Sequence, residues 1–462
     1  MVKNFLQLPS SFISRMKLHR PDADAFFNSI HESPPVSIRL HPYRTAGLPA
    51  SGRVCWCSNG FYLDNRPAFI LDPLFHGGAY FVQEASSMFL EQYILQTRLN
   101  EKPVTALDLC ASPGGKSTHL LSLLHKDSIL VANEAIRSRI PALKENIIKW
   151  GYPNVLLTNN DPSAFSELQG IFDLIICDAP CSGEGMFRKD PDSIKHWSEA
   201  KVKHCAERQK RIVGQAWKAL KPGGIFIYST CTYNADENEE VLRYLLQNFD
   251  AGESIRLNIQ GMEGVEMTEN PINIYRFFPH LINGEGFTIA GLRKSEKEGI
   301  PGFRHSKNIG LSFKPSNRNV HWLNMENGKL YENDGMIIHL NHQVKCFAEN
   351  YGYRLNLIYA GTPVAEIKGN EIIPSQASCM SILFRRNSFP EIESEHKDAL
   401  RFLKGETSFA AEAPEGLLLF TYRNLPLGFA RKTGNRFNNH YPKGWRIRME
   451  LNKGLQDWRN KT

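Results

Sequence analysis

The sequence predicts an α/β protein built on a parallel, doubly wound sheet, and three observations carry that reading. From Val104 onward, "VTALDLC", "SILVANE", "NVLLTNND", "FDLIICD" and "GGIFIYST" read as strands. They alternate with the helical segments "GKSTHLLSLLH", "IRSRIPALKENIIKW", a long one ending near "QAWKALK", and "DENEEVLRYLLQNF". Strands alternating with helices require right-handed crossovers, which cover both faces of a parallel sheet. The first strand runs into a Gly-rich turn and a helix, "LDLCASPGGKSTHLL", and four successive strands end on acids: Asp108, Glu134, Asp161 and Asp178. Further on, "NIYRFFPH", a turn at "NGEG" and "FTIAGLRK" predict an antiparallel hairpin at one edge.

At 462 residues the chain is long enough for three or four units. Residues 1–98, a helical start followed by short strands and a helix from "QEASSMFLEQYILQ", read as an accessory module with a small α/β fold. The alternating domain spans 99–295. A stretch at 296–320, rich in Gly, Pro, Ser, Asn, Lys and Arg, reads as a linker. A mixed unit follows at 321–386, then an α+β unit at 387–462 with a helix near "EHKDALRFLKGE" and strands "GLLLFTYR" and "LPLGFARKT".

Hydrophobic residues at 42% and charged at 22% fit a soluble globular protein, with no run of the ~18 apolar residues that a membrane span needs. The N-terminus lacks the apolar core and cleavage site of a secretory signal, so the cytoplasm is the expected compartment. Nine cysteines without paired CxxC or Cys/His spacing argue for reduced thiols and no metal site. "CWC" (Cys55, Cys57) reads as strand alternation placing both sulfurs on one face.

Charge is uneven. From Thr421 to Thr462 there are ten Lys or Arg (Arg423, Arg431, Lys432, Arg436, Lys443, Arg446, Arg448, Lys453, Arg459, Lys461) against two acids, Glu450 and Asp457. Tyr422, Phe429, Phe437, Tyr441, Trp445 and Trp458 are interleaved with them. Cations pair with phosphates and aromatics stack on bases, so this unit is expected to bind RNA. The competing reading is a solvated basic face over an aromatic core.

Ligands of open α/β sheets lie beyond the carboxyl ends of the strands, which puts a cofactor at Cys110, Ala111, Ser112, Pro113, Gly114, Gly115 and Lys116. Counting back from Lys116, the glycine that a phosphate-cradling loop requires is Ala111, and GxGxxG is absent, so neither a nucleotide triphosphate nor NAD fits. Glu134, at the tip of the second strand, is placed to catch ribose hydroxyls. Asp161 is placed for an adenine, and Asp178 for the opposite end of the ligand. An adenosine cofactor without phosphates fits best: S-adenosylmethionine.

Two thiols stand near this edge, Cys181 in "DAPCSGEG" and Cys231 in "STCT". Carbon 5 of a pyrimidine is a poor nucleophile, and a thiolate adding to carbon 6 activates it by forming an enamine-like ring. Cysteines beside a methyl donor therefore point to ring-carbon methylation. A free thiol has a pKa of about 8.5, and Lys116 is a plausible source of activating positive field. Asp178 could stabilise N3 of the base. Cys177 and Cys205 read as buried structural residues, and position alone points to Cys181 rather than Cys231 as the nucleophile.

The segments "DLCASPGGKS", "DAPCSGEGMFRKD", "STCTYNADENEEV", "QKRIVGQAWKALKPGG", "RFFPHLINGEGF" and "YFVQEASSM" resemble those of the Sun-type RNA cytosine-C5 methyltransferases. The layout, with C-terminal "LPLGFARKTGNRFNNHYPKGWRIR", is similar to the bacterial RsmF group that modifies small-subunit ribosomal RNA. The resemblance runs from about Leu8 to Arg448 and is most specific from Asp108 to Lys294. It implies a class I (Rossmann-like) S-adenosylmethionine-dependent methyltransferase domain with a PUA-like C-terminal RNA-binding unit. Cys231 becomes the nucleophile, Cys181 the residue that assists product release, and the loop Cys110 to Lys116 with Glu134, Asp161 and Asp178 the cofactor contacts. The expected partner is 16S rRNA or the small subunit, and the expected state a monomer. Transfer RNA as substrate, or a role as a non-catalytic assembly factor, are the alternatives. In "IRLHPYR" the family's Arg-x-Asn signature has His41 in place of Asn, which puts that module's RNA contacts in question, and Ser112 replaces the usual Ala.

Overall fold

The computed structural model describes residues 7–44, 51–269, 271–296, 313–325, 327–409 and 412–451. Lys453, Asp457, Trp458, Arg459, Lys461 and linker residues 297–312 lie outside them.

Strands β1 (Thr105–Asp108), β2 (Ile129–Asn133), β3 (Val155–Thr158), β4 (Phe172–Asp178) and β5 (Leu220–Thr230) form a parallel sheet in the order β3-β2-β1-β4-β5. The order reverses beside β1, so a crevice opens above its carboxyl end. Helices α1 (Gly115–Leu123), α2 (Ile140–Trp150), α3 (Glu199–Ala219) and α4 (Glu239–Asn248) lie among these strands in sequence. The predicted hairpin, β6 (Ile274–Phe277) and β7 (Phe287–Lys294), pairs antiparallel with β5.

Successive residues of these strands enter opposite cores. Ala106, Leu130 and Leu174 join one cluster, while Leu107, Val131 and Ile175 join the other. All six are fully buried, which is why the strands read as unbroken apolar runs rather than alternating ones. Each buried Leu, Ile or Val contributes about 1.5–3 kcal/mol.

The middle segment is less separate than its sequence implies. Its strand β8 (Leu357–Ala360) pairs antiparallel with β3 and closes the far edge of the parallel sheet. The rest forms its own sheet with Gly328–Asn333, Met336–Asn341, Thr362–Lys368 and Glu371–Pro374. A four-residue edge strand carries no pattern that names its partner.

At the N-terminus two short helices, Ser10–His19 and Ala23–Ile30, precede a four-stranded sheet that includes Val36–Leu40 and Gly60–Leu63. Cys55 and Cys57 do not lie on a strand as expected. They occupy a turn, with Cys55 exposed and Cys57 buried against Glu91 and His119, because Gly60 folds the chain back onto Val54.

The C-terminal sheet runs Glu391–Glu393, Gly416–Tyr422, Leu425–Thr433 and Arg436–Asn439, with helix His396–Lys404 against it. Tyr422, Phe429, Phe437 and Tyr441 are buried in its core, which corrects the expectation that they stack on bases. A hydrophobic surface of that size stabilises the unit only when removed from water. Arg423, Arg436, Lys443 and Arg448 remain exposed. Among the described residues no helix is long and apolar enough to cross a membrane.

Candidate active site

The Gly-rich turn fits where the sequence places it. Gly114 has φ 114°, a conformation that side chains disfavour, and an added Cβ would press on Leu143 at 3.3 Å. The turn ends at the N-terminus of α1 and borders two adjoining cavities. The first, about 170 Å³, is lined by Gln83, Asp108, Ala111, Pro113, Gly115 and Lys116 among others. The second, about 230 Å³, is lined by Glu134, Asp161, Cys181 and Cys231 with Arg208 and Arg211. Cys110, Ser112 and Asp178 face both.

The four strand-end acids differ in character. Asp108 is fully buried and accepts from the Ser117 hydroxyl at 2.6 Å, while its second oxygen has no hydrogen-bond partner. Burial pushes this carboxyl up to about 7. Glu134 accepts from the Ile136 N–H at 2.8 Å, and its other oxygen lies 3.3 Å from the Arg139 guanidinium without a hydrogen bond. Asp161 caps a short helix through Ser163, which occupies one of its oxygens. Asp178 lies between the Lys116 ammonium at 2.8 Å and the Ser229 hydroxyl at 2.7 Å. Lys116 thus pairs with this carboxylate, which lines the cavity that also holds both thiols.

The structure brings the two thiols together. Cys181 Sγ and Cys231 Sγ are 3.1 Å apart, and both cysteines are partly exposed. The Cys231 sulfur, and then burial, push the Cys181 thiol well above its ordinary value. Cys177 is fully buried, its thiol raised first by a hydrogen bond with Cys110, and Cys205 is buried too. Cys110 itself is partly exposed and lines both cavities.

Residues that sequence reasoning left unassigned hold the thiols in place. Glu237 accepts from the Ser182 N–H at 2.8 Å, the Gln209 amide at 3.0 Å and the Asn234 amide at 2.7 Å. Gln209 also donates to the Pro180 carbonyl at 3.0 Å. The loops following β4 and β5 are thereby tied to each other and to α3. Glu184, fully buried, accepts from Tyr233 N–H, Trp197 and Asn234 and pairs with Arg15 at 2.6 Å, so the N-terminal helix reaches the catalytic loop. Gly185 N–H donates to the Cys231 carbonyl at 2.9 Å, and an added Cβ at Gly185 would meet the Gly286 carbonyl at 2.3 Å. Apart from Arg15 and Trp197, these residues lie inside the quoted segments, and a Glu or Asn three to six residues past each thiol is the signal the sequence carries.

In "IRLHPYR", Arg39, His41 and Arg44 prove to be interior, while Tyr43 is exposed. Arg39 donates to Gln83 at 2.8 Å and Thr118 at 2.6 Å and stacks over Trp150, 4.5 Å from its centre. His41 bonds the Trp150 carbonyl at 3.0 Å and receives the Tyr43 N–H at 3.1 Å. Arg44 binds the carbonyls of Gly77, Lys149 and Met380. His41 therefore supports a helix end, and RNA contacts are not its task, because no face of it reaches solvent.

A larger cavity, about 940 Å³, lies between α2 and the middle and C-terminal sheets, lined by Lys144, Tyr359, Arg431, His440 and Trp445 among others. It holds neither the strand-end acids nor a thiol.

The family described as 16S rRNA methyltransferase RsmB/F matches residues 92–293. The N-terminal domain of 16S rRNA methyltransferase RsmF matches 8–85, and the RsmF PUA domain matches 389–447. The chain is 31% identical over 410 residues to ribosomal RNA small subunit methyltransferase F of Pectobacterium atrosepticum, covering 84% of this chain and 82% of that one. To the protein of the same name from an Enterobacter species it is 29% identical over 482 residues, covering 96% and 97%. A solved methyltransferase homologue from Pyrococcus horikoshii superposes with a TM-score of 0.51 at 28% identity, over 62% of this chain and all of that one. PH0851 superposes with a TM-score of 0.53 at 24% identity, over 62% and 66%, and shows the fold alone. With its crevice, its three matched segments and these relatives, the chain belongs to the RsmF group of the RsmB/F family of 16S rRNA methyltransferases.

Proposed function

We propose that this protein methylates carbon 5 of a cytosine in small-subunit ribosomal RNA through a transient bond between Cys231 and carbon 6. The observation that carries the reading is the pair of free thiols, 3.1 Å apart, on the cavity that also holds Glu134, Asp161 and Asp178. An amine or hydroxyl acceptor needs no such pair.

S-adenosylmethionine, when bound, supplies an electrophilic methyl group. The residues present suit it: the Asp108 and Glu134 oxygens without hydrogen-bond partners are acceptors for the ribose hydroxyls and amino group of such a ligand. The loop Cys110 to Lys116 would bring its backbone against the ligand, with Asp161 at the adenine.

The target base leaves its stack to enter, at a cost of a few kcal/mol. Cys231 adds as thiolate to carbon 6, and carbon 5 becomes nucleophilic. Asp178, protonated when the base is bound, donates a hydrogen bond to N3 and stabilises the negative charge that builds there. Once carbon 5 has taken the methyl group and given its proton to solvent, the Cys231–carbon 6 bond breaks and its electron pair returns to the sulfur. The Cys181 thiol, 3.1 Å from the Cys231 sulfur, hydrogen-bonds the departing thiolate and assists release.

Two measurements test this. Tritium should be released from carbon-5-labelled cytosine in small-subunit rRNA, and bisulfite sequencing of rRNA with and without the gene should show one lost signal. A signal lost from transfer RNA instead would move the same chemistry to another substrate, and methylation at a nitrogen or ribose oxygen would refute the proposal.

A further inference from the structure

Helix α3 carries a basic stripe that the chemistry above does not use. Lys201, His204, Arg208 and Arg211 recur at the spacing of one helical face. The acid nearest them, Glu207, is held by Lys210 at 2.9 Å. Among the described residues, neither the Arg208 nor the Arg211 guanidinium has a hydrogen-bond or ion-pair partner, and both residues are exposed. Both line the same cavity as Cys181 and Cys231. They also contribute to holding the Asp161 carboxyl below its ordinary range, although the Ser163 N–H is the larger cause.

Their position is fixed relative to the thiols. Gln209, buried between them in sequence, bonds the Pro180 carbonyl one residue before Cys181 and bonds Glu237. The helix cannot rotate about its axis without breaking both bonds, so the two guanidinia stay at the cavity mouth. A guanidinium presents a planar fork of donors that matches phosphate oxygens. Beyond this field on Asp161, neither guanidinium is taken up by a hydrogen bond or ion pair among the described residues, so both forks are open to a phosphate.

We propose that Arg208 and Arg211 form a phosphate-binding site that grips the RNA backbone flanking the extruded cytidine. The inference rests on the reading of the protein as an RNA methyltransferase. The two contacts hold the strand at the cavity mouth while the base is out of its stack, and they read no sequence.

The test compares wild type with R208Q/R211Q and R208K/R211K on undermethylated small-subunit rRNA, used as a transcript and as the assembled subunit. For R208Q/R211Q, KM for RNA should rise about tenfold, more than kcat falls. The slope of log affinity for single-stranded RNA against log salt should become shallower by about 1.4, the value for two phosphate contacts. R208K/R211K should recover part of the affinity, and S-adenosylhomocysteine should bind as to wild type. An unchanged RNA KM and salt slope in an otherwise working enzyme would overturn the inference alone, as would a loss confined to S-adenosylhomocysteine binding. Absence of methyl transfer to any RNA by wild type would retire both the inference and the reading beneath it.

Discussion

The carboxyl edge of the catalytic sheet and the Arg39–Arg44 segment look alike in sequence, since each is a short motif dense in polar side chains. Their surroundings separate them. At the sheet edge, Asp108 and Glu134 keep oxygens without hydrogen bonds, two thiols face a cavity, and Arg208 and Arg211 stand free. In the segment, Arg44 commits its guanidinium to four backbone carbonyls, His41 has both ring nitrogens engaged, and the one Arg39 nitrogen without a hydrogen bond belongs to a guanidinium stacked on Trp150. Polar atoms left over are available to a ligand; polar atoms used up belong to the architecture. A motif's composition does not say which case applies, but the hydrogen-bond accounting does.

Substitutions should respect this division. The largest effect is expected at the open edge: Cys231→Ala should lower methyl transfer by roughly 10³-fold or more while cofactor affinity stays near wild type, as measured by single-turnover assay and calorimetry. A comparable loss of cofactor binding would mean that the residue belongs to the cofactor site instead. Next comes Glu237→Ala, which frees the loops carrying both thiols. The expected result is about a 10²-fold drop in kcat with a smaller change in KM, since misplacing reacting groups by about 1 Å has that effect.

In the closed segment the readout changes from rate to stability. Arg44→Ala should destabilise the fold by about 3 kcal/mol, leaving buried carbonyls unpaired, and RNA affinity measured below the melting transition should not move. A specific loss of RNA affinity in a fully stable variant would break the comparison.

The smallest effect depends on pH. Burial holds the His41 ring neutral, down to about 2 against an ordinary 6.5. Between those values the unfolded chain binds the extra proton, so His41 supports the fold fully above pH 6.5 and progressively less as pH falls. At pH 5 the cost is about 2 kcal/mol. His41→Asn should remove that share of the acid sensitivity, while the other buried histidines, such as His76 and His119, remain in both proteins. Parallel stability curves from pH 5 to 7 for the two proteins would contradict the assignment.

Much of the catalytic domain is legible in the sequence because its physics is local. Unbroken apolar runs announce strands covered on both faces, and an acid at each strand tip follows from where ligands sit in such sheets. What is not legible depends on long-range pairing. Glu237 meets Ser182 across 55 residues and Arg15 meets Glu184 across 169, separations at which single-sequence patterns say nothing. Lys116 illustrates the same limit: its place beside the cofactor loop is readable, but its capture by Asp178 is not. The tail aromatics mislead for another reason, since interleaving with cations is equally produced by strand alternation, with rings inside and charges outside.

The central claim is that the two neighbouring thiols have different tasks. Incubating Cys181→Ala and Cys231→Ala with substrate RNA and S-adenosylmethionine, then resolving the products under denaturing conditions, tests it directly. A covalent protein–RNA band should accumulate with Cys181→Ala and be absent with Cys231→Ala; equal bands from both variants, or a band only from Cys231→Ala, would contradict the assignment.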